Sequence, residues 1–424
     1  MSDKPKVPLV PQLRFPDFLE ADGWVEKKLS DILNPTVREV VKPSSRYLAV
    51  GIRSHGKGTF HKPDQEPEKN SMDRLYLVHR DDLIVSITFA WEGAIAIATE
   101  ADHGAFVSHR FPTYVFKPAE SAPAFLRHVI SKEAFTYKLG LISPGGAGRN
   151  RVMNKKGFLE TSVVIPSLLE QQKIADCLSS LDELIAAQAR KVDALKTHKK
   201  GLMQQLFPLE GETHPRLRFL DFKDAGDWEK DSLKSLCMRI MDGTHFSPKS
   251  KKGPRPYLTS KNIREGRLDL SNLSYISEDD HAEIYSKCPV MTGDVLLTKD
   301  GANTGNCAIN NLEFEFSLLS SVAVLRSNSS KLHQNFLYQS IISDAIQSLI
   351  SESMAGQAIT RITLAKIGSF NIFVTSLQEQ QRIADCLATF DAYVTAAARE
   401  LETLKTHKKG LVQQLFPSAE AVDA

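Results

Sequence analysis

LLEQQKIADCLSSLDELIAAQARKVDALKTHKKGLMQQLFP at 168–208 returns as LQEQQRIADCLATFDAYVTAAARELETLKTHKKGLVQQLFP at 377–417, with 26 of 41 positions identical at an offset of 209. A second signature opens each half. PQLRFPDF (11–18) with Trp24 comes back as PRLRFLDF (215–222) with Trp228, at an offset of 204. The chain is therefore one unit used twice. Each unit holds a variable body of about 150 residues and closes on the duplicated segment.

The duplicated segment has the apolar spacing of a long helix. Ile174, Leu178, Leu181, Ile185, Val192, Leu195, Leu202 and Leu206 recur at alternating steps of four and three, with Gln188 and Lys199 in the gaps. The second copy gives Ile383, Leu387, Phe390, Val394, Ala397, Leu401, Leu404, Leu411 and Leu415, with Lys408 in the gap that matches Lys199. An apolar seam at 3.5-residue spacing wants a partner helix. Neither copy has an internal proline, and Phe207-Pro208 and Phe416-Pro417 stop the helices. At 1.5 Å per residue, roughly 38 residues span about 55–60 Å, longer than a body of this size needs for its own core. The two copies are expected to pack on each other and hold the bodies apart.

The bodies read as mixed α/β. Strands are expected at 47–52, 82–87, 93–99 and 111–116 in the first, and at 256–260, 294–299, 307–309 and 321–325 in the second. Helices are expected at 122–135 and 333–350. Domains thus fall at 1–167, 168–208, 209–376 and 377–417, with a tail at 418–424.

Composition narrows the class. Hydrophobic residues make up 42% and charged residues 25%, as in an ordinary globular protein. No apolar run is long enough for a membrane span, and Met1 to Pro11 has no apolar signal core. Cys177, Cys237, Cys288, Cys307 and Cys386 lie far apart, which fits a reducing cytoplasm and no zinc site. The net charge is only +2. Residues 1–167 carry 23 basic against 19 acidic side chains, and residues 209–376 carry 19 against 20. Any nucleic-acid partner must meet locally clustered cations, or a further subunit must neutralise phosphates.

Motifs with catalytic letters fail on detail. GIRSHGKG at 51–58 resembles a phosphate-binding loop, but Gly58 stands where a Ser or Thr must hold magnesium. Pro63-Asp64 with Glu68 and Lys69 has the letters of a nuclease motif, yet all four lie within seven residues of one loop. No Asn-Pro-Pro-Tyr-like segment or Gly-rich cofactor loop is present. His198 and His407, in the repeated LKTHKKG, have no repeated partner for a triad and read as a solvated basic turn. What remains is base-reading chemistry on Gly-flanked loops. The first body offers Arg53, Ser54, His55 and Lys57, then Phe89 and Trp91, His109 and Arg110, and Arg149, Asn150 and Arg151. The second offers Thr244 and His245, Lys261 and Asn262, Lys299, Asn303 and Thr304, and Gln357, Thr360 and Arg361.

The LRFPDF and LRFLDF openings with their tryptophans, the DGTH segment, LTSKNI, GDVLLTKDGANTG and the EQQ…LKTHKKGLxQQLFP helix resemble type I restriction-modification specificity subunits over residues 11–417. The resemblance implies two target-recognition domains in pseudo-twofold relation, joined by two long antiparallel coiled-coil-like helices. Each domain would read one half of a split, asymmetric site in double-stranded DNA. It also implies a non-catalytic chain with no cofactor of its own. Two modification subunits would carry S-adenosylmethionine, and two restriction subunits would use ATP and magnesium. A reader for another bipartite restriction system, or a paired-helix scaffold that does not bind DNA, remains the alternative on these residues.

Overall fold

The computed structural model describes residues 9–145, 151–249, 252–354 and 361–417. Arg149, Asn150, Gln357 and Thr360 lie outside them. The chain divides into two compact units. One is Met1–Ala187 with Leu401–Ala424, and the other is Gln188–Glu400. The units are therefore not the contiguous halves of the sequence. Each recruits the closing turns of the long helix that begins in the other.

Both long helices form as the periodicity requires, at Leu168–Leu206 and Leu377–Gln414. Every seam position from Ile174 to Leu206, and from Ile383 to Leu415, is buried or half-buried. The polar residues in the seam are paired across it. In the first unit Lys408 Nζ lies 2.5 Å from Asp182 Oδ1. In the second unit the equivalent Lys199 Nζ lies 2.6 Å from Asp391 Oδ1. Gln188 Nε2 donates to the Ala397 carbonyl at 3.0 Å and to Glu400 Oε2 at 2.8 Å. Rising residue number on one helix meets falling number on the other, so the helices run antiparallel within each unit.

The repeated LRF and EQQ motifs have a shared purpose. Arg14 makes a bidentate pair with Glu170, Nε to Oε1 at 2.9 Å and Nη2 to Oε2 at 2.7 Å, with side chains only 4% and 1% exposed. Arg218 repeats it on Glu379 at 2.7 and 2.8 Å. The hydrogen bonds and charge of the glutamates raise both guanidinium pKa values, against a smaller opposing effect of burial. The following glutamines secure the start of each helix. Gln171 accepts from Ala122 N and donates to the Pro166 carbonyl, while Gln380 accepts from His333 N and donates to the Thr375 carbonyl.

The two bodies share one antiparallel four-stranded sheet. In the first its order is Leu33–Thr36, Thr113–Phe116, Leu83–Val85, Ile95–Ile97. In the second it is Cys237–Asp242, Val322–Ser327, Val295–Thr298, Cys307–Ile309. The additions differ. A five-stranded sheet containing the hairpin Tyr47–Ile52 and Thr59–Gln65 belongs to the first unit. A three-stranded sheet and the helix Glu278–Lys287 belong to the second.

Each of the helices expected at 122–135 and 333–350 is in fact two, Pro123–Ile130 with Glu133–Leu141 and Gln334–Ile341 with Asp344–Met354. At both breaks a serine hydroxyl bonds a carbonyl three residues back, Ser131 to His128 and Ser343 to Ser340. Such bonds compete with helical continuation.

The cores close on matching aromatic triads. In the first unit Trp24, Phe125 and Phe416 meet with ring centroids 5.3–5.6 Å apart. In the second Trp228, Phe336 and Phe207 meet at 5.3–6.0 Å. The QQLFP ending is thus a core plug as well as a helix stop.

Candidate nucleic-acid interface

In both units the chain leaving the third strand of the shared sheet gathers the candidate loops. After Leu83–Val85, Ile87 N donates to the Arg110 carbonyl at 3.0 Å, and the Ile87 carbonyl accepts from Met153 N at 2.7 Å. After Val295–Thr298, Lys299 N donates to the Ser321 carbonyl at 2.9 Å, and its carbonyl accepts from Ile362 N at 2.8 Å. One backbone knot, formed twice, sets Arg110 and Arg151 near the first strand end and Arg361 near the second.

The first cluster is built tightly. His55 N donates to the Glu92 carbonyl at 2.7 Å and Gly56 N to the Gly93 carbonyl at 2.8 Å, fixing the 53–58 loop on the turn that carries Trp91. His55 is held at φ 62°, a left-handed conformation that costs a non-glycine residue free energy. Ser54 Oγ donates to Glu92 Oε2 at 2.9 Å, so its hydroxyl is engaged inside the loop. Arg53, His55, Lys57, His109 and Arg110 are exposed. The Arg151 guanidinium sits 5.2 Å from the centroid of the half-buried Trp91 ring. These side chains form a basic, aromatic-bearing surface suited to phosphates and base edges.

In the second cluster the expected contact residues separate into two groups. His245, Lys261 and Arg361 are exposed, and Asn303 and Thr304 are half-buried. Arg361 faces Asp300 at 4.0 Å. Three others serve internal bonds. Lys299 is 1% exposed and its ammonium lies 3.1 Å from Asp242 Oδ2. Asn262, 6% exposed, accepts from Thr259 N and donates to the Asp269 carbonyl. Thr244, 7% exposed, accepts from Phe246 N through its hydroxyl. All three are thus held in bonds within the unit.

Residues absent from the sequence reading also surface here. Phe60 lies over Gly51, with Arg53 at 5.6 Å and Lys62 at 5.4 Å from its ring centroid. A Cβ at Gly51 would fall 2.3 Å from that ring, so any larger residue would have to displace Phe60. The signal was present as the glycine opposite an aromatic across a hairpin, but only the pairing of Gly51 with Phe60 reveals it.

Among the described residues no group of three or more His, Cys, Asp or Glu side chains is placed to hold a metal ion. Burial pushes the thiols of Cys237 and Cys288 up to about 12, which makes them inert packing groups. No helix among the described residues is long and apolar enough to cross a membrane.

Solved structures share this fold. The S subunit of the type I restriction-modification system from M. genitalium superposes with a TM-score of 0.59 at 15% identity, covering 97% of this chain and 100% of that one. A chain from work on complex assembly and conformational transition of the type I R-M system gives 0.53 at 18% identity, covering 93% and 98%. Two curated relatives come from Methanocaldococcus jannaschii. The type I restriction enzyme MjaVIII specificity subunit is 24% identical over 271 residues, 62% of this chain and 63% of that protein. The putative type I restriction enzyme MjaX specificity subunit is 27% identical over 195 residues, 45% of each. The chain thus spans between about half and two thirds of the curated relatives it matches. A family model described as the type I restriction modification DNA specificity domain matches twice, at residues 21–197 and 225–406. Those two matches cover most of the chain and coincide with the two repeats, so this protein belongs to the type I restriction modification DNA specificity domain family.

Proposed function

We propose that this chain is the DNA-recognition subunit of a type I restriction-modification enzyme, with each unit reading one half of a bipartite, asymmetric site. One observation carries the reading. The same backbone knot at the end of the same strand presents loops of different sequence in the two units. A common scaffold with divergent loops is what two readers of different base sequences require.

The chain acts without chemistry of its own. Modification subunits, two by the resemblance, bind S-adenosylmethionine and methylate adenine, and two restriction subunits supply ATP- and magnesium-dependent cleavage in the cytoplasm. The family resemblance, rather than any contact described above, supports that assembly. The modest net charge fits it, because partners that clamp the duplex would share the neutralisation of phosphates.

Mapping adenine methylation in host DNA with and without the gene tests the reading. A two-part motif that disappears with the gene is the expected result. An unchanged methylation pattern, in a host whose modification subunit is expressed, contradicts it.

A further inference from the structure

A lysine buried to 1% exposure is costly unless its charge is answered. Lys299 is answered by Asp242, whose Oδ2 lies 3.1 Å from the ammonium and whose side chain is itself 12% exposed. The other carboxylate oxygen does different work. Asp242 Oδ1 lies 3.2 Å from Nε2 of His245, and the His245 side chain is 59% exposed. Lys299 and two residues of the DGTH segment, Asp242 and His245, form a line from the core to the surface. It ends at the loop cluster of the second unit. In the first unit the position of Lys299 in the backbone knot is held by Ile87, so the line is particular to one reader.

We propose that His245 is a base-reading residue of the second unit, its tautomer fixed by Asp242, and that Lys299 acts on it as a positioning residue through Asp242. This rests on the DNA-reading function proposed above. A carboxylate accepts and cannot donate, so the Nε2 facing Asp242 carries the ring proton of a neutral imidazole. The other nitrogen, Nδ1, then presents a lone pair. In the major groove its partners are the amino groups of adenine N6 or cytosine N4, which donate hydrogen bonds. Guanine O6 and N7 and thymine O4 accept and are rejected at that point. Lys299 keeps Asp242 oriented without touching the ligand.

The relay makes an unusual demand on Asp242→Asn. Lys299 can only donate, so the amide oxygen of the new side chain must face it, which turns the NH2 group toward His245. Nε2 must then accept, and the ring proton moves to Nδ1. The outward nitrogen changes from acceptor to donor, and the preference at one base should change from an amino-bearing edge to an accepting edge. His245→Ala should simply remove discrimination at that base, by roughly tenfold or more.

The test uses the full chain with its modification subunits at about pH 8, well above the ordinary imidazole range. Binding is measured on duplexes with each base of the second half-site varied, including a purine analogue that lacks the N6 amino group. Thermal denaturation of each variant establishes that it is folded. His245→Ala relaxing one position, with Asp242→Asn changing the base preferred at that same position, is the expected result. Equal loss on every sequence for His245→Ala marks a phosphate contact and overturns the proposal, as does no loss at all. Relaxation by His245→Ala with no change of preference in a folded Asp242→Asn chain overturns the relay. Failure of the unaltered complex to prefer any site would instead sink the DNA-reading function itself.

Discussion

Glu379 sits wholly inside the second unit with the Arg218 guanidinium bonded to both of its oxygens. Arg218→Ala leaves that carboxylate buried without its counter-charge and should cost about 3–5 kcal/mol of stability. Replacing both partners, as Arg218→Met with Glu379→Leu, should recover most of that loss, because no unpaired charge remains. Chemical denaturation of the two variants checks the contrast, and equal destabilisation would show that the pair is not what matters. His128 offers a second residue-scale prediction. Burial, with the nearby Lys408 charge adding to it, lowers its pKa from the ordinary 6.5 to about 4. The unfolded chain therefore takes up a proton at this site between about pH 6.5 and 4 while the folded chain does not. The stability it contributes is complete above that window and is lost as pH falls through it, by at most roughly 1.4 kcal/mol per unit. In the second unit Gln339 bonds to Asp391, the counterpart of Asp182, which acts on His128. His128→Gln should flatten the acid limb of a stability-against-pH curve, and an unchanged limb would refute the assignment.

Among the elements, the long helices were legible because an apolar seam repeating every 3.5 residues fits a paired helix and little else. Their ends were less so. Phe416 read as a helix stop, and its place against Trp24 and Phe125 depends on partners about 290 and 390 residues earlier. No local pattern announces such a contact. Phe416→Ala should cost about 3–5 kcal/mol. The loss should fall on the first unit, so hydrogen exchange should quicken in the Leu83–Val85 and Thr113–Phe116 strands more than in Val295–Thr298. Uniform quickening, or quickening confined to the second unit, would contradict the plug. Three of the four strands of the shared sheet were legible in each body as short apolar runs, but Leu33–Thr36 and Cys237–Asp242 were not, and of the second sheets only Tyr47–Ile52 and Arg255–Leu258 stood out. Glu39–Val41 and Ser274–Ile276 are too short and too mixed in polarity to stand out. The candidate loops were visible as Gly-flanked polar stretches. Which of their side chains face outward was not, since Lys299 is drawn inside by Asp242, 57 residues before it.

For the whole molecule, the doubled sequence carries the account further than any single residue does. Two family matches fall on two units that repeat the same sheet order, the same aromatic triad and the same buried Arg–Glu pair. What differs lies in loops, in the sheets that flank them and in the added helix Glu278–Lys287, and that is where the two proposed recognition specificities belong. The central claim is that the readers are independent. Replacing residues 25–165 with those of a relative of different specificity, while keeping both long helices and the residues from 401 onward that complete the first core, isolates it. Methylation mapping of a host that carries the chimera is the direct measurement. The account predicts that one half of the methylated motif changes and the other half stays as it was. Simultaneous change of both halves, in a chimera that still methylates, would contradict it.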